Sequence, residues 1–243
     1  MNTTLLLQRS QRVTQQWLDL LFPPRCAGCR KGGHVLCADC IRAIPLLQPP
    51  FCQHCGSPSA ASGMCQSCRY HAPRLHGLRA VSVFEEPLRS YIHALKYNGN
   101  TRLAEPLGRL LAQAYTRNGF QVDAIIAVPL HAERQKQRGY NHAQLLAEVC
   151  ASLVGVPLYS DMVQRQRATP AQVGLSAGQR LQNMAGTFLC TPAFSAGTGA
   201  LNGRRILIID DVCTTGATIE ACAAPLYAAG AAAVSGLVLA RPL

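Results

Sequence analysis

Residues 206–218 read ILIIDDVCTTGAT, and this string decides the fold. Four apolar residues, Ile206 to Ile209, end in two adjacent acids, and a loop of small residues then leads into a helix. A run that is apolar at every position suits a strand buried on both faces, the kind found in parallel sheets covered by helices. Asp210 and Asp211 stand at the C-terminal end of that strand, where α/β sheets bind their ligands. Two neighbouring buried aspartates would be costly as mere core residues, but as acceptors they can hold the two vicinal hydroxyls of a ribose. The next residues, Thr214, Thr215, Gly216, Ala217 and Thr218, form a turn whose N–H groups converge at a helix N-terminus. Such a site carries roughly half a positive charge and suits a terminal phosphate. Gly216 permits close approach of the backbone.

Upstream, AIIAVPL at 124–130 reads as a second buried strand, and the loop after it, HAERQKQRGYNHA, carries Arg134, Lys136, Arg138 and Gly139. Bases clustered near a glycine after a strand can neutralise a diphosphate bound with Mg²⁺, an ion that takes oxygen ligands from substrate and carboxylate. Further strands are expected at about 78–85, 157–164, 187–190 and 233–240. Helices are expected from Pro87, over 101–117, 141–153, 176–184 and 217–229. Strands alternating with helices predict an α/β domain, a parallel sheet with helices on both faces. The chain has no G-x-x-x-x-G-K-[ST] string, so ATP hydrolysis is not indicated.

The N-terminal third is different. Eight of the 12 cysteines form four C-x-x-C pairs, Cys26/Cys29, Cys37/Cys40, Cys52/Cys55 and Cys65/Cys68. Two residues between thiolates let both sulfurs reach one metal at about 2.3 Å, so eight thiolates make two tetrahedral zinc sites. With sulfur in every position no place is left for an activated water, and the zinc is structural. Sequential pairing keeps each loop short; a cross-braced pairing, 26/29 with 52/55, remains open. The leucine run before Arg9 and Arg12 is too short for a signal-peptide core, and no stretch of about 20 apolar residues would span a membrane. A cytoplasmic location follows as the expectation, where paired cysteines mean zinc rather than disulfides. The divisions expected are an N-terminal helix in 1–22, with Val13, Trp17, Leu20 and Leu21 on one face, a double zinc ribbon at 23–72, and the α/β domain at 73–243.

Across 243 residues, 23 bases against 12 acids give a net charge of +11, which favours an anionic partner. Only Lys31, Lys96 and Lys136 are lysines, and arginine grips phosphate in two places. The bases are spread over both parts of the chain, so no single nucleic-acid face stands out.

The string at 206–218 resembles the phosphoribosyl-pyrophosphate motif of type I phosphoribosyltransferases. Together with the cysteine pairs, VPLHAERQKQRGYNHAQLLA and RATPAQVGLSAGQRLQNMAGTF, it makes the chain similar to the ComF family from about Leu20 to Pro242. The resemblance implies a small double zinc ribbon joined to a type I phosphoribosyltransferase-like domain, linked to competence and the use of external DNA. By that resemblance Arg134, Arg138, Gly139 and Asn141 match a pyrophosphate loop, and Asp210, Asp211 and Thr214–Thr218 match the ribose-phosphate site. Thr169, Gln172, Leu175, Arg180 and Asn183 match a further polar stretch that, with Arg165 and Arg167, could close over the site. The implied ligands are phosphoribosyl pyrophosphate with Mg²⁺, and single-stranded DNA or a DNA-uptake protein as a partner. No catalytic acid or base is assigned, because loss of pyrophosphate needs positioning and charge stabilisation more than proton transfer.

Overall fold

The computed structural model describes residues 23–59, 63–70, 74–167, 184 and 186–242. The expected helix in 1–22 and the stretch holding Thr169, Gln172 and Arg180 lie outside the described residues. The chain divides into two compact units, Met1–Ile44 and Pro45–Leu243.

In the first unit the knuckle at Cys26 is a tight reversal. The Cys26 N–H donates to Lys31 C=O (2.8 Å) and the Gly33 N–H to Pro24 C=O (2.8 Å). A short helix, α1 (Ala38–Arg42), starts directly after Cys37.

The second unit holds α2 (Gln66–Tyr70), β1 (Gly77–Val83), α3 (Leu88–Tyr97), α4 (Ala104–Arg117), β2 (Ala124–Ala127), α5 (Ala132–Arg138), α6 (His142–Val154), β3 (Val163–Arg165), β4 (Phe188–Cys190), β5 (Arg205–Val212), α7 (Ala217–Ala228) and β6 (Ala233–Arg241). Its main sheet has the order β1-β6-β5-β2, with every pair parallel. β6 is the only strand that pairs with β1 among the described residues. β3 and β4 form a separate antiparallel pair. Helices α4 and α6 pack together and against the sheet, and α7 packs on β4, β5 and β6.

β5 shows why the sheet needs helices on both faces. Its side chains alternate: Ile206 and Ile208 join the cluster containing Phe188, Ile219, Cys222 and Leu226 on the α7 face. Leu207 and Ile209 point the other way and are fully buried too.

The compact division falls at Ile44/Pro45, within the segment expected to hold both ribbons, because the second cysteine group docks on the sheet. The Leu78 N–H donates to His54 C=O (2.6 Å), and Arg79 Nη1 donates to the carbonyl of Gln53 (2.9 Å). Arg241, at the end of β6, donates to Cys55 C=O. Gly56 (φ +67) lies so close that a Cβ there would stand 2.3 Å from the Leu78 carbonyl oxygen. Among the described residues no helix is long and apolar enough to cross a membrane.

Candidate functional site

β5 runs two residues past the expected end, so both acids belong to the strand. Alternation then separates them. Asp210 shares its face with α7, and Asp211 shares the opposite face, where α6 begins with His142. Both carboxylates are buried. Asp210 Oδ1 accepts the Asp211 N–H (2.9 Å) and Asp211 Oδ1 accepts the Val212 N–H (2.7 Å), which fixes one oxygen of each against the backbone.

The other oxygen of Asp211 faces an ammonium and an imidazole. Lys96, on the last turn of α3, ion-pairs with Asp211 Oδ2, and His142 Nε2 lies 3.4 Å from the same oxygen. Burial alone would raise the Asp211 carboxyl, but Lys96 and His142 outweigh it and hold it below the usual range. Burial also pulls on the Lys96 ammonium, yet the charges of Asp211 and Asp210 leave it raised. Asp210 goes the other way: burial and the charge of Asp211 push it up. The pair is therefore unequal, with one acid locked as a carboxylate and its neighbour taking a proton more readily.

The chain of contacts continues outward. Arg138 Nη1 lies 2.8 Å from His142 Nδ1, and its guanidinium sits 5.0 Å over the Tyr97 ring. The expected pyrophosphate loop is thus a short helix, α5, capped at its start by His131, which accepts the Glu133 N–H, and ended by Gly139 in the left-handed region. Arg134 stands exposed on this helix. Asn141 has a positioning role: its Oδ1 caps α6 by accepting the Ala143 N–H (3.0 Å), and its Nδ2 donates to Val128 C=O (3.0 Å).

These groups line one open cavity of about 760 Å³, with Asp210, Asp211, Lys96, Arg134, Arg138 and Arg165 among its walls. Arg165 comes from β3, half-buried over the Phe188 ring at 5.5 Å. Burial lowers its pKa first, and the charge of Arg134, which lines the same cavity, adds to that. Beside the cavity lies a smaller cup of about 100 Å³, lined by Thr214, Thr215, Gly216, Ala217 and Thr218 and sharing Asp210 and Thr218 with it. Gly216 (φ +87) precedes the first residue of α7, a conformation that costs other residues energy. Arg134 and Arg138 thus line the cavity with Asp210 and Asp211, and Thr214–Thr218 line the cup beside it, whereas Gly139 and Asn141 are in neither lining.

The cysteines fall into the two sequential groups, Cys26/Cys29/Cys37/Cys40 and Cys52/Cys55/Cys65/Cys68, each with sulfurs within 4.8 Å of one another. Cys29 and Cys37 sulfurs are 3.6 Å apart, and those of Cys55 and Cys65 are 3.7 Å apart. Tetrahedral sulfurs about 2.3 Å from zinc stand close to that separation. Burial would raise the Cys26 thiol, but the N–H groups of Cys37, Cys29 and Gly28 outweigh it and bring it down to about 6. Cys52 is brought to about 6 in the same way by Cys65, Cys55 and His54. The donor sets fit structural zinc. Fresh, reduced protein is expected to carry about two zinc ions per chain by elemental analysis, unchanged by His34→Ala or His54→Ala; one equivalent or fewer would contradict the assignment.

Comparison with known proteins agrees with reading the two cysteine groups as zinc ribbons. The double zinc ribbon domain family matches residues 17–69. The chain is 34% identical over 235 residues to the DNA utilization protein YhgH of Escherichia coli K12, covering 92% of this chain and all of that one. The chain belongs to the ComF family. A second relative, competence protein F of Haemophilus influenzae, is 32% identical over 209 residues, 82% of this chain and 89% of its own. Among solved structures, the glutamine phosphoribosylpyrophosphate amidotransferase of B. subtilis complexed with ADP and GMP superimposes with a TM-score of 0.39 at 16% identity. It covers 61% of this chain and 30% of the other. The parallel sheet flanked by helices, with two four-cysteine groups ahead of it, is the architecture expected of a ComF chain.

Lys96, Tyr97 and His142 are the site residues that sequence reasoning missed in this ComF chain. Lys96 carried no signal of this role beyond being one of three lysines in an arginine-rich sequence.

Proposed function

We propose that this ComF-family chain binds phosphoribosyl pyrophosphate and transfers its phosphoribosyl group, in the service of DNA utilisation. The observation that carries the reading is the placement, around one cavity, of a buried acid pair, a helix-N-terminal cup and a basic helix. The cup of Thr214–Thr218 would take the 5′-phosphate and the two aspartates the ribose hydroxyls. Arg134 and Arg138 would hold the departing diphosphate and stabilise its charge. Magnesium would arrive on the diphosphate oxygens and supply charge neutralisation there. Of the two acids, Asp210 is the one that could lend it an oxygen, since Asp211 already faces Lys96. The relatives' names, DNA utilization protein and competence protein, support the proposed context.

The test is calorimetric titration with phosphoribosyl pyrophosphate and Mg²⁺, followed by measurement of pyrophosphate release against nucleobases, glutamine and single-stranded DNA. Asp210→Asn with Asp211→Asn removes two charged acceptors. Each charge-assisted hydrogen bond contributes roughly 1.5–3 kcal/mol, so affinity should fall at least tenfold. An unchanged affinity would reduce the motif to a structural coincidence. Arg134→Ala should weaken phosphoribosyl pyrophosphate while sparing ribose 5-phosphate, which never reaches α5. It is a cleaner probe than Arg138, whose guanidinium also touches His142. Binding without pyrophosphate release from any acceptor would favour a second reading, a zinc-ribbon adaptor that keeps the phosphate site for a ligand.

A further inference from the structure

A second cavity, of about 580 Å³, opens at the opposite end of the same sheet. Gly77 of β1, Ala233 and Ser235 of β6 and Arg205 of β5 form its floor, at the N-terminal ends of the strands. Five residues of β5 separate Arg205 from Asp210, about 16 Å at strand spacing, so this cavity is separate from the first. Its walls are Gln53 and His54 of the second cysteine knuckle and the turn at Asn118–Val122 after α4.

The polar groups in it have unused capacity. Arg79 is half-buried over the Phe51 ring; its Nη1 donates to the carbonyls of Cys52, Gln53 and Leu78, and its Nε and Nη2 have no acceptor among the described residues. Ser235 is 5% exposed. The Nδ1 of His54 is buried without a partner. Arg205 is held at 3.5 Å by Asp123 and is otherwise open to the cavity. No carboxylate is among the lining side chains, whereas two arginines and two histidines are.

Buried polar groups are normally satisfied, and those that are not mark a place for water or a ligand. A cavity whose fixed groups are two guanidiniums, a hydroxyl and imidazoles selects an anion, and arginine favours phosphate over a point charge. Arg79 and Arg205 lie on strands two spacings apart and, with Arg79 opposite Leu237 and Arg205 opposite Ala233, four residues apart along β6, so their backbones stand about 16 Å apart, far wider than one phosphate. The remaining wall holds the Phe120 ring and the amides of Gln53 and Gln121, suited to stack on a planar group and read its edge.

We propose that this cavity is a second binding site, for a nucleotide, with its phosphate at Arg205 and its base at Phe120. It does not depend on the phosphoribosyl pyrophosphate reading. Arg79 also faces the thiolates of Cys52 and Cys55, so its loss could unsettle the ribbon; Arg205 and His76 are exposed and carry the test. In the zinc-loaded full chain with Asp210→Asn and Asp211→Asn, titration with 2′-deoxyadenosine 5′-monophosphate should show binding. Adding Arg205→Ala and His76→Ala should weaken it tenfold or more. In the otherwise unaltered chain those two substitutions should leave phosphoribosyl pyrophosphate affinity where it was. No binding in the acid-pair variant, or an affinity indifferent to Arg205 and His76, overturns the proposal. Inorganic phosphate binding as tightly as the nucleotide overturns its nucleotide part. If the acid-pair variant does not fold, judged by circular dichroism, the same titrations in the unaltered chain are run over saturating ribose 5-phosphate.

Discussion

Lys96→Met should lower the melting temperature and weaken phosphoribosyl pyrophosphate binding in one step. The substitution keeps the length of the side chain and removes the ammonium that faces Asp211 Oδ2, leaving a buried carboxylate with only His142 beside it. Removing one partner of a buried pair typically costs about 3–5 kcal/mol. Such a loss in a unit of this size corresponds to a drop of roughly 6–20 °C. The freed carboxylate should also take up a proton more readily and lose its hold on the sugar hydroxyls. Lys96→Met with Asp211→Asn should recover most of the stability and none of the binding, which separates the two roles. The pH dependence has a definite sign. The depressed Asp211 carboxyl contributes stability that is present above the ordinary carboxylate range and is lost as acid titrates it. The raised Lys96 contributes below the ordinary lysine range and loses its contribution as base removes the proton. An unchanged melting curve for Lys96→Met would show the pair to be idle.

The two zinc sites should not be equivalent. Cys52→Ser with Cys55→Ser is expected to destabilise the whole α/β body, whereas Cys26→Ser with Cys29→Ser should leave the body's melting and ligand binding nearly intact. The reason is the compact division at Ile44/Pro45, which puts the second cysteine group in the same unit as the sheet. Zinc supplies on the order of 10–16 kcal/mol to a ribbon that cannot fold alone, comparable to the 5–15 kcal/mol that holds a typical domain together. Without it His54 C=O no longer accepts from Leu78, and Cys55 C=O no longer accepts from Arg241. Melting followed by near-ultraviolet circular dichroism, with ligand titration alongside, checks this. A Cys52/Cys55 variant whose body melts like the parent would show the docking contacts to be superficial.

The sheet was legible because its strands are apolar at nearly every position, a pattern only a strand covered on both faces sustains. β5 and β6 match their expected spans to within two residues. β2 stops at Ala127, short of the expected 130, as Pro129 cannot donate to a ladder. The strand expected at 157–164 is mostly irregular: Leu158 makes an isolated bridge to Ile125, and only Val163–Arg165 pairs, with β4. The acid pair was readable as two carboxylates at the C-terminal end of a buried strand, and the period-2 rule that makes its members unequal was available too. Lys96 was not readable. It sits 115 positions before Asp211 at the end of an amphipathic helix, where a lysine is ordinarily solvated; folding alone carries it to the acid. The basic segment at 131–139 looked like a loop, although His131 and Gly139 are the cap residues of a short helix.

The sheet order β1-β6-β5-β2 has a consequence for synthesis of the chain. β1 is made first of the four strands, yet its neighbour in the sheet is the last one made, and 149 residues separate Val83 from Ala233. At about 5–20 residues per second the ribosome needs roughly 7–30 s to cover that distance. During that interval β1 has no strand to pair with, and the second knuckle lacks the arginine that will later reach Cys55. The α/β body therefore closes late and nearly all at once, so nascent chains should depend on whatever shields an unpaired apolar strand until β6 emerges.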